Sequence, residues 1–287
     1  MASALDAVAS AVYTTFLFTK SDIKTMVIPI SFFAVAAAPI LTWSRLPHVI
    51  FWIWCMAFQF TLSNQTLSPE EDAINKSDRP IPSGRISLDN AIRLRWLSIP
   101  ICLLLSACYS LETIYGCAGV IILTMLYDDR QWSTRWWFKN GLNGLGYASF
   151  ELGATLIAGA NRHALDRTAV RAVLASAGVI ATTIHAQDFK DEDGDRAVGR
   201  RTIPILYPSF SRWSIGVTLL AWSALLSYVW ALDAYMTVAF VSLAAMIGVR
   251  FYTLRTVPED QITYYWYNVW LSMVHILPGY YRLFTSH

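Results

Sequence analysis

The sequence predicts an all-α polytopic membrane bundle of about nine spanning helices, and three observations carry that prediction. Of 287 residues, 55% are hydrophobic and only 15% are charged, against roughly 25% charged in a soluble globular domain. The apolar residues fall in continuous runs close to the roughly 17–25 residues that a spanning helix needs. Repeated alternating segments of about ten residues, the mark of a membrane β-barrel, are absent. Finally, the basic residues divide unevenly between the two sides that these runs define.

In chain order the charge-free runs are 25–44, 46–69, 96–111, 113–127, 140–160 (broken only by Glu151), 172–187, 213–232, 234–249 and 261–281. The third, fourth, sixth and eighth are short and are expected to borrow flanking residues. Residues 1–24 are expected to form a cytosolic N-terminal segment of a single membrane domain covering 1–287. They lack a basic stretch followed by a cleavable apolar core, so no signal peptide is expected and the first helix serves as its own insertion signal.

If the loop after the second run is cytosolic and the chain alternates from there, 17 of the 22 basic residues lie on the cytosolic side. Arg45, Arg162, Arg167, Arg171 and Arg282 lie on the other. This is a strong positive-inside bias. It puts the N-terminus in the cytosol and the C-terminus across the membrane.

Metal–thiolate and redox chemistry find no support. Cys55, Cys102, Cys108 and Cys117 all sit in apolar runs without a CxxC pair, and read as small buried hydrophobes. The histidines form no HExxH or Cys/His zinc spacing. A nucleic-acid partner is not expected.

Two long polar loops remain, 64–95 and 187–212, separated by four crossings and hence on the same side. The second begins QDFKDEDGDRAVGRRTIPI. Asp188, Asp191 and Asp195 lie at i, i+3 and i+7, so on a sixth helix continued through them the three carboxylates share a face. Such a stripe suits a hard cation, and magnesium characteristically bridges carboxylates to substrate phosphates. Lys190, Arg196, Arg200 and Arg201 stand beside it, and guanidinium groups bind phosphate oxygens in a forked geometry.

The first loop reads SNQTLSPEEDAINKSDRPIPSG. On a helix extended from the second run, Asn64, Ser68 and Asp72 share a face, while Glu71 projects about 100° away and reaches the same point if the helix unwinds at Pro69. Pro80, Pro82 and Gly84 form a re-entry turn, and Arg79 is a candidate phosphate contact.

Together these two stretches resemble the paired aspartate-rich motifs of the UbiA superfamily of intramembrane prenyltransferases and terpene cyclases, over nearly the whole chain. The resemblance implies nine helices and a lipid-accessible cavity in which Mg2+ holds an isoprenoid diphosphate. It assigns catalysis to Asp72, Asp188 and Asp191, and substrate binding to Asn64, Arg79, Lys190, Arg200 and Arg201. Glu71, Asp72, Asp188, Asp191 and Asp195 are the expected metal ligands. Gln65 and Ser68 occupy positions that are aspartates in the family pattern, so the first metal site is either reduced or rebuilt with Glu71. The loop after the fourth run also departs from the family, offering Tyr127, Arg130 and Lys139 as substitutes.

Ionisation of the diphosphate would leave an allylic cation in a dry aromatic pocket. Tyr147, Phe150, Trp222, Tyr228, Trp230, Trp266, Tyr267 and Trp270 are the aromatic candidates within spans. Cyclisation of farnesyl diphosphate is the leading expectation, through similarity to fungal membrane-bound sesquiterpene cyclases, which also suggests the endoplasmic reticulum. Transfer of the prenyl group to an aromatic, quinone or tetrapyrrole acceptor is the alternative, and a non-catalytic cation or lipid-diphosphate binder is a third. Glu151, a carboxylate in mid-span, reads as a cavity base or as a buried hydrogen-bond partner. His185, one turn before Asp188, is expected near the cavity mouth.

Overall fold

The computed structural model describes residues 4–39, 43–67 and 69–285, without the side chains of residues 4, 71, 74 and 75. Its long helices follow the charge-free runs, extended at their ends by the polar flanks. A π turn at Ile23–Val27 leads into α2 (Ile28–Ala37), preceded by α1 (Ala4–Thr19). Then come α3 (Leu46–Leu67), α4 (Pro69–Asn75), α5 (Leu88–Ala107), α6 (Leu111–Tyr127), α7 (Trp136–Ala158) and α8 (Arg167–Thr183). The chain closes with α9 (Glu192–Ala197), α10 (Ile203–Leu206), α11 (Pro208–Val229), α12 (Ala234–Thr253) and α13 (Val257–Phe284).

Among the described residues, four helical segments are long and apolar enough to cross a membrane: Trp43–Leu67, Leu88–Ala107, Arg167–Gln187 and Ala234–Thr253. The others have a physical reason to be less apolar. α7 carries Lys139, Asn140, Asn143 and Glu151, and all but Asn143 are buried within the bundle, hidden from lipid.

The N-terminal segment holds an element that the sequence reading did not assign. Phe18 of α1 is buried against Phe58 and Leu62, while Leu5, Val8, Val12 and Phe16 form an exposed apolar stripe.

Helix starts are set by side chains. Ser87, Ser110, Asp166 and Asp233 each accept a hydrogen bond from a backbone N–H in the first turn of α5, α6, α8 and α12, satisfying a donor that the helix itself cannot. The core lies between α2, α3, α7, α8 and α13, with Trp52, Tyr267 and Trp270 wholly enclosed.

Candidate functional site

α8 does not continue through the acidic run, which corrects the expected three-carboxylate face. It ends at Thr183 and tightens into a 3-10 turn over Ile184–Gln187 before the chain turns into α9. Residues 188–191 then form a turn and not a helix, so the i, i+3, i+7 register is lost. The three acids consequently have different fates.

Asp188 turns inward, 1% exposed, and its Oδ1 accepts a hydrogen bond from Lys139 Nζ at 2.7 Å. Burial pushes the Asp188 carboxyl up to about 6 against the pull of Lys139. Asp195, on α9, is also buried; Lys139 lies 3.4 Å from its Oδ2, and Arg200 Nη1 donates to its Oδ1 at 3.0 Å. Gly199, with φ of 73°, permits the reversal that carries Arg200 back to Asp195, whose carbonyl also accepts the Arg200 N–H at 2.9 Å. Asp191 faces the cavity and is paired with Lys190 at 2.7 Å. Burial works to raise its pKa, but Lys190 and Lys76 outweigh that and hold it below the usual carboxylate range.

The first motif arrives from α3 and α4. Asn64 is on α3 and Asp72 on the separate helix α4, rather than on one extended helix. Both nevertheless line the same cavity. Arg79 Nη1 donates to Asp72 Oδ1 at 2.6 Å, with both side chains buried, leaving Asp72 Oδ2 without a partner. Position 68 and the side chain of Glu71 fall outside the described residues, so the expected exchange between Ser68 and Glu71 falls outside them too.

α4 packs on α9, and the two motif loops thus meet over one cavity with about 1090 Å3 of empty space, its open mouth included. At the mouth stand Asp22, Asp72, Asp191 and Asp195 with Lys76, Arg79, Lys139 and Arg200. Deeper in, the lining is Met26, Phe60, Val120, Leu123, Tyr147 and Phe150.

Several expected residues lie elsewhere. The Arg201 side chain is exposed; its backbone instead bridges the loop to the start of α7 through Thr134 and Trp136, at 2.8 and 3.2 Å. Lys190 is spent on Asp191 and lies 5.2 Å from the Tyr264 ring centre. Arg130 is exposed outside the cavity, although Tyr127 and Lys139 line it. His185 is buried beside Phe189, and neither ring nitrogen has a hydrogen-bond partner. Glu151 is fully enclosed, accepting from Ser176 Oγ at 2.5 Å and lying 3.3 Å from His275 Nε2; it is a packing-layer carboxylate outside the cavity lining.

Other lining residues were missed by sequence reasoning. Lys76, in the first motif loop, reaches into the mouth, and burial followed by the charge of Arg79 lowers its pKa. Tyr264 of α13 and Asn143 and Gly146 of α7 also line the cavity. The α7 set was accessible from spacing: positions 139, 142, 143, 146, 147 and 150 form one helical face.

Among the described residues no three His, Cys, Asp or Glu side chains come together as a ready metal cage. Magnesium needs none, since it is commonly held by one or two carboxylates plus substrate phosphate. The donors that line the cavity fit such a role: they are hard carboxylate oxygens, and Asp72 Oδ2 is buried without a partner; Asp188, expected as a ligand, lies behind Lys139 and does not line the cavity. The lining cations are matched in number by lining acids, so a polyanion entering here brings negative charge that the chain alone does not offset.

The described helices thus form a bundle whose cavity is ionic at the mouth and aromatic within. The chain belongs to the UbiA prenyltransferase family, whose pattern matches residues 26–272. It is 31% identical to fumagillin beta-trans-bergamotene synthase of Aspergillus fumigatus, over 94% of this chain and 93% of that protein. A polyprenyl transferase of Hericium erinaceus is 29% identical over 88% of this chain and 89% of its own. In three dimensions the fold is that of a UbiA homolog from Archaeoglobus fulgidus bound to DMAPP and Mg2+, with a TM-score of 0.68, 13% identity, and 93% and 97% of the two chains covered.

Proposed function

We propose that the chain is a Mg2+-dependent terpene cyclase that ionises an isoprenoid diphosphate, farnesyl diphosphate above all, and closes the resulting cation into a sesquiterpene. The observation that carries this reading is the cavity's division into a charged mouth and an aromatic interior, in a chain alignable nearly end to end with a terpene synthase.

Asp72, Asp191 and Asp195 would hold magnesium, with Glu71 as a further candidate, and Asp188 acts through Lys139. When bound, the metal supplies positive charge to the departing diphosphate. Arg79, Lys76, Lys139 and Arg200 are placed to exchange a carboxylate partner for a phosphate oxygen, which is electrostatic stabilisation of the leaving group. Asn64 donates to Asp128 Oδ1 at 3.5 Å and leaves its carbonyl available to the mouth. Breaking the C1–O bond transfers both electrons to the diphosphate and leaves an allylic cation. Phe60, Tyr147, Phe150 and Tyr264 present aromatic rings to it, and the apolar wall excludes water that would otherwise quench it. Loss of a proton to the departed diphosphate ends the cyclisation.

Prenyl transfer is favoured instead by the full-length similarity to a polyprenyl transferase, since the same mouth would ionise the donor and an aromatic or other acceptor would occupy the interior. On either reading the protein is an enzyme embedded in the bilayer. We place the motif loops on the cytosolic side, in the endoplasmic reticulum.

The deciding experiment incubates purified protein in nanodiscs with Mg2+ and geranyl, farnesyl or geranylgeranyl diphosphate, without acceptor. A cyclic hydrocarbon or alcohol from farnesyl diphosphate, lost in Asp191→Ala, is the expected result. Consumption only after an acceptor is added would overturn cyclisation in favour of transfer. Binding without turnover under any condition would leave only the non-catalytic binder.

A further inference from the structure

We propose that Phe150, braced by Trp52, is the floor of the cavity and sets the longest isoprenoid tail the protein accepts. The inference rests on the diphosphate reading and extends it to chain length.

The cavity runs along one face of α7. Lys139 is at the mouth, then come Leu142, Asn143, Gly146, Tyr147 and finally Phe150. Phe150 lies eleven positions after Lys139, so at ~1.5 Å per residue the run is about 16 Å deep. Beyond Phe150, of the α7 residues only Leu152 is partly exposed, and it does not line the cavity. Glu151, Gly153, Ala154, Thr155, Leu156, Ile157 and Ala158 are all buried in packing, and none of them lines the cavity.

Two aromatic rings close the deep end, and each is fixed. Tyr147 donates its hydroxyl to the Thr25 carbonyl at 2.7 Å. Phe150 meets Trp52 edge to face, with ring centres 6.5 Å apart. Trp52 itself has little freedom: its indole Nε1 donates to Ser106 Oγ at 2.9 Å, and its ring fills the notch at Gly153, where a Cβ would lie 2.3 Å from the indole edge. A tail pressing on Phe150 therefore meets a ring that cannot retreat.

One turn above the floor the opposite condition holds. Gly146 lines the cavity, and a Cβ built there would meet nothing within 4 Å. That space is where the folded tail sits, and a side chain introduced at Gly146 would shorten the compartment from above. The geometry thus supplies two substitutions with opposite effects: Phe150→Ala lengthens the compartment and Gly146→Leu shortens it.

The test measures binding of the thiolodiphosphate analogues of geranyl, farnesyl and geranylgeranyl diphosphate, which resist ionisation, to the full chain in nanodiscs with Mg2+. The ratio of affinities within each variant is the readout, because it does not depend on the folded fraction. Wild type is expected to bind the farnesyl analogue at least about tenfold more tightly than the geranylgeranyl one, a discrimination that a filled pocket readily provides. Phe150→Ala should erase or reverse that ratio, and Phe150→Leu should do so partly. Gly146→Leu should move the preference toward the geranyl analogue. Wild-type discrimination retained unchanged in both Phe150 variants would overturn the floor while leaving the diphosphate reading intact. Failure of wild type to bind any of the three would overturn both.

Discussion

Lys139 holds the mouth of the cavity together. Its ammonium is buried between Asp188 at 2.7 Å and Asp195 at 3.4 Å, so Lys139→Met would leave buried carboxylate charge. Breaking such a pair from one side costs roughly 3–5 kcal/mol. Arg200 still serves Asp195, which puts the loss toward the low end, about 3 kcal/mol, and on Asp188. Melting of the detergent-solubilised variant should fall accordingly, with partial recovery in Lys139→Met/Asp188→Asn; equal melting of the single variant and wild type would show that the pair contributes nothing. Asp128, at the C-terminus of α6, gives a prediction in pH. Burial pushes its carboxyl up to about 6, against Ser63, Asn64 and Arg95, from an ordinary 3.8. The folded state prefers the protonated acid, so its contribution is fully present below 3.8 and is lost as pH rises through 6. Asp128→Asn should therefore melt a few degrees higher than wild type at pH 8 and match it near pH 4, as differential scanning fluorimetry would read. Of the mouth residues, Asn64, Asp72, Arg79, Asp191, Asp195 and Arg200 were legible because each lies within a short motif. Lys139 was named as well, from the loop before α7, and Asn143 and Gly146 could have been found from the helical face they share with it; Tyr264 was not legible, since only packing of α13 against the motif loops makes it a neighbour.

At the level of elements, the apolar runs anticipated the long helices because exclusion of charge is a property of a whole segment. The end of α8 was less legible. Thr183 Oγ1 bonds back to the Val179 carbonyl at 2.7 Å, the chain tightens over Ile184–Gln187, and the buried pair with Lys139 draws Asp188 off the helical path. That pair joins residues far apart in sequence, so no local spacing announces it. Contact between α11 and α12 is tighter than apolar patterning alone conveys. A Cβ on Gly248 would lie 2.8 Å from the Gly216 Cα, backbone that cannot swing aside. Small residues at such a crossing let helices approach in a membrane. Gly248→Ala should lower stability by about 1–3 kcal/mol through overpacking, and Gly248→Val by more, read as loss of the monodisperse fraction on size exclusion. Gly141→Ala, with nothing within 4 Å of the new carbon, is the matched control and should be neutral or slightly stabilising. If both glycine variants behave alike, close approach of α11 and α12 has no energetic weight.

For the whole molecule, the orientation expected from the charge distribution is a proposal that the length of α7 makes testable. α7 runs from the cavity mouth at Lys139 to Gly159, roughly 30 Å away at ~1.5 Å per residue. At that far end three of the five minority basic residues have partners. Arg45 donates to the Gly159 carbonyl, Arg282 reaches the Ala37 carbonyl and Asp166, and Arg162 lies over Tyr109. Lys76, Arg79, Lys139 and Arg200, from the majority, line the cavity mouth. The positive-inside rule reads orientation from this asymmetry, and on the proposed function a diphosphate headgroup would enter from the compartment that supplies it. We therefore expect a cysteine placed at Ser83, in the turn after Arg79, to react with a membrane-impermeant maleimide from the cytosolic face of sealed microsomes. A cysteine at Asn161, beyond α7, should react only after the vesicles are permeabilised. The four native cysteines would first be replaced by serine or alanine; Cys102 and Cys117 are buried and Cys108 is exposed. Labelling in the reverse order would invert the protein in the membrane and place the mouth across the bilayer from the cytosol, while leaving the cavity and its chemistry unchanged. Labelling of both sites from the same face would contradict the separation of the two ends by α7 itself.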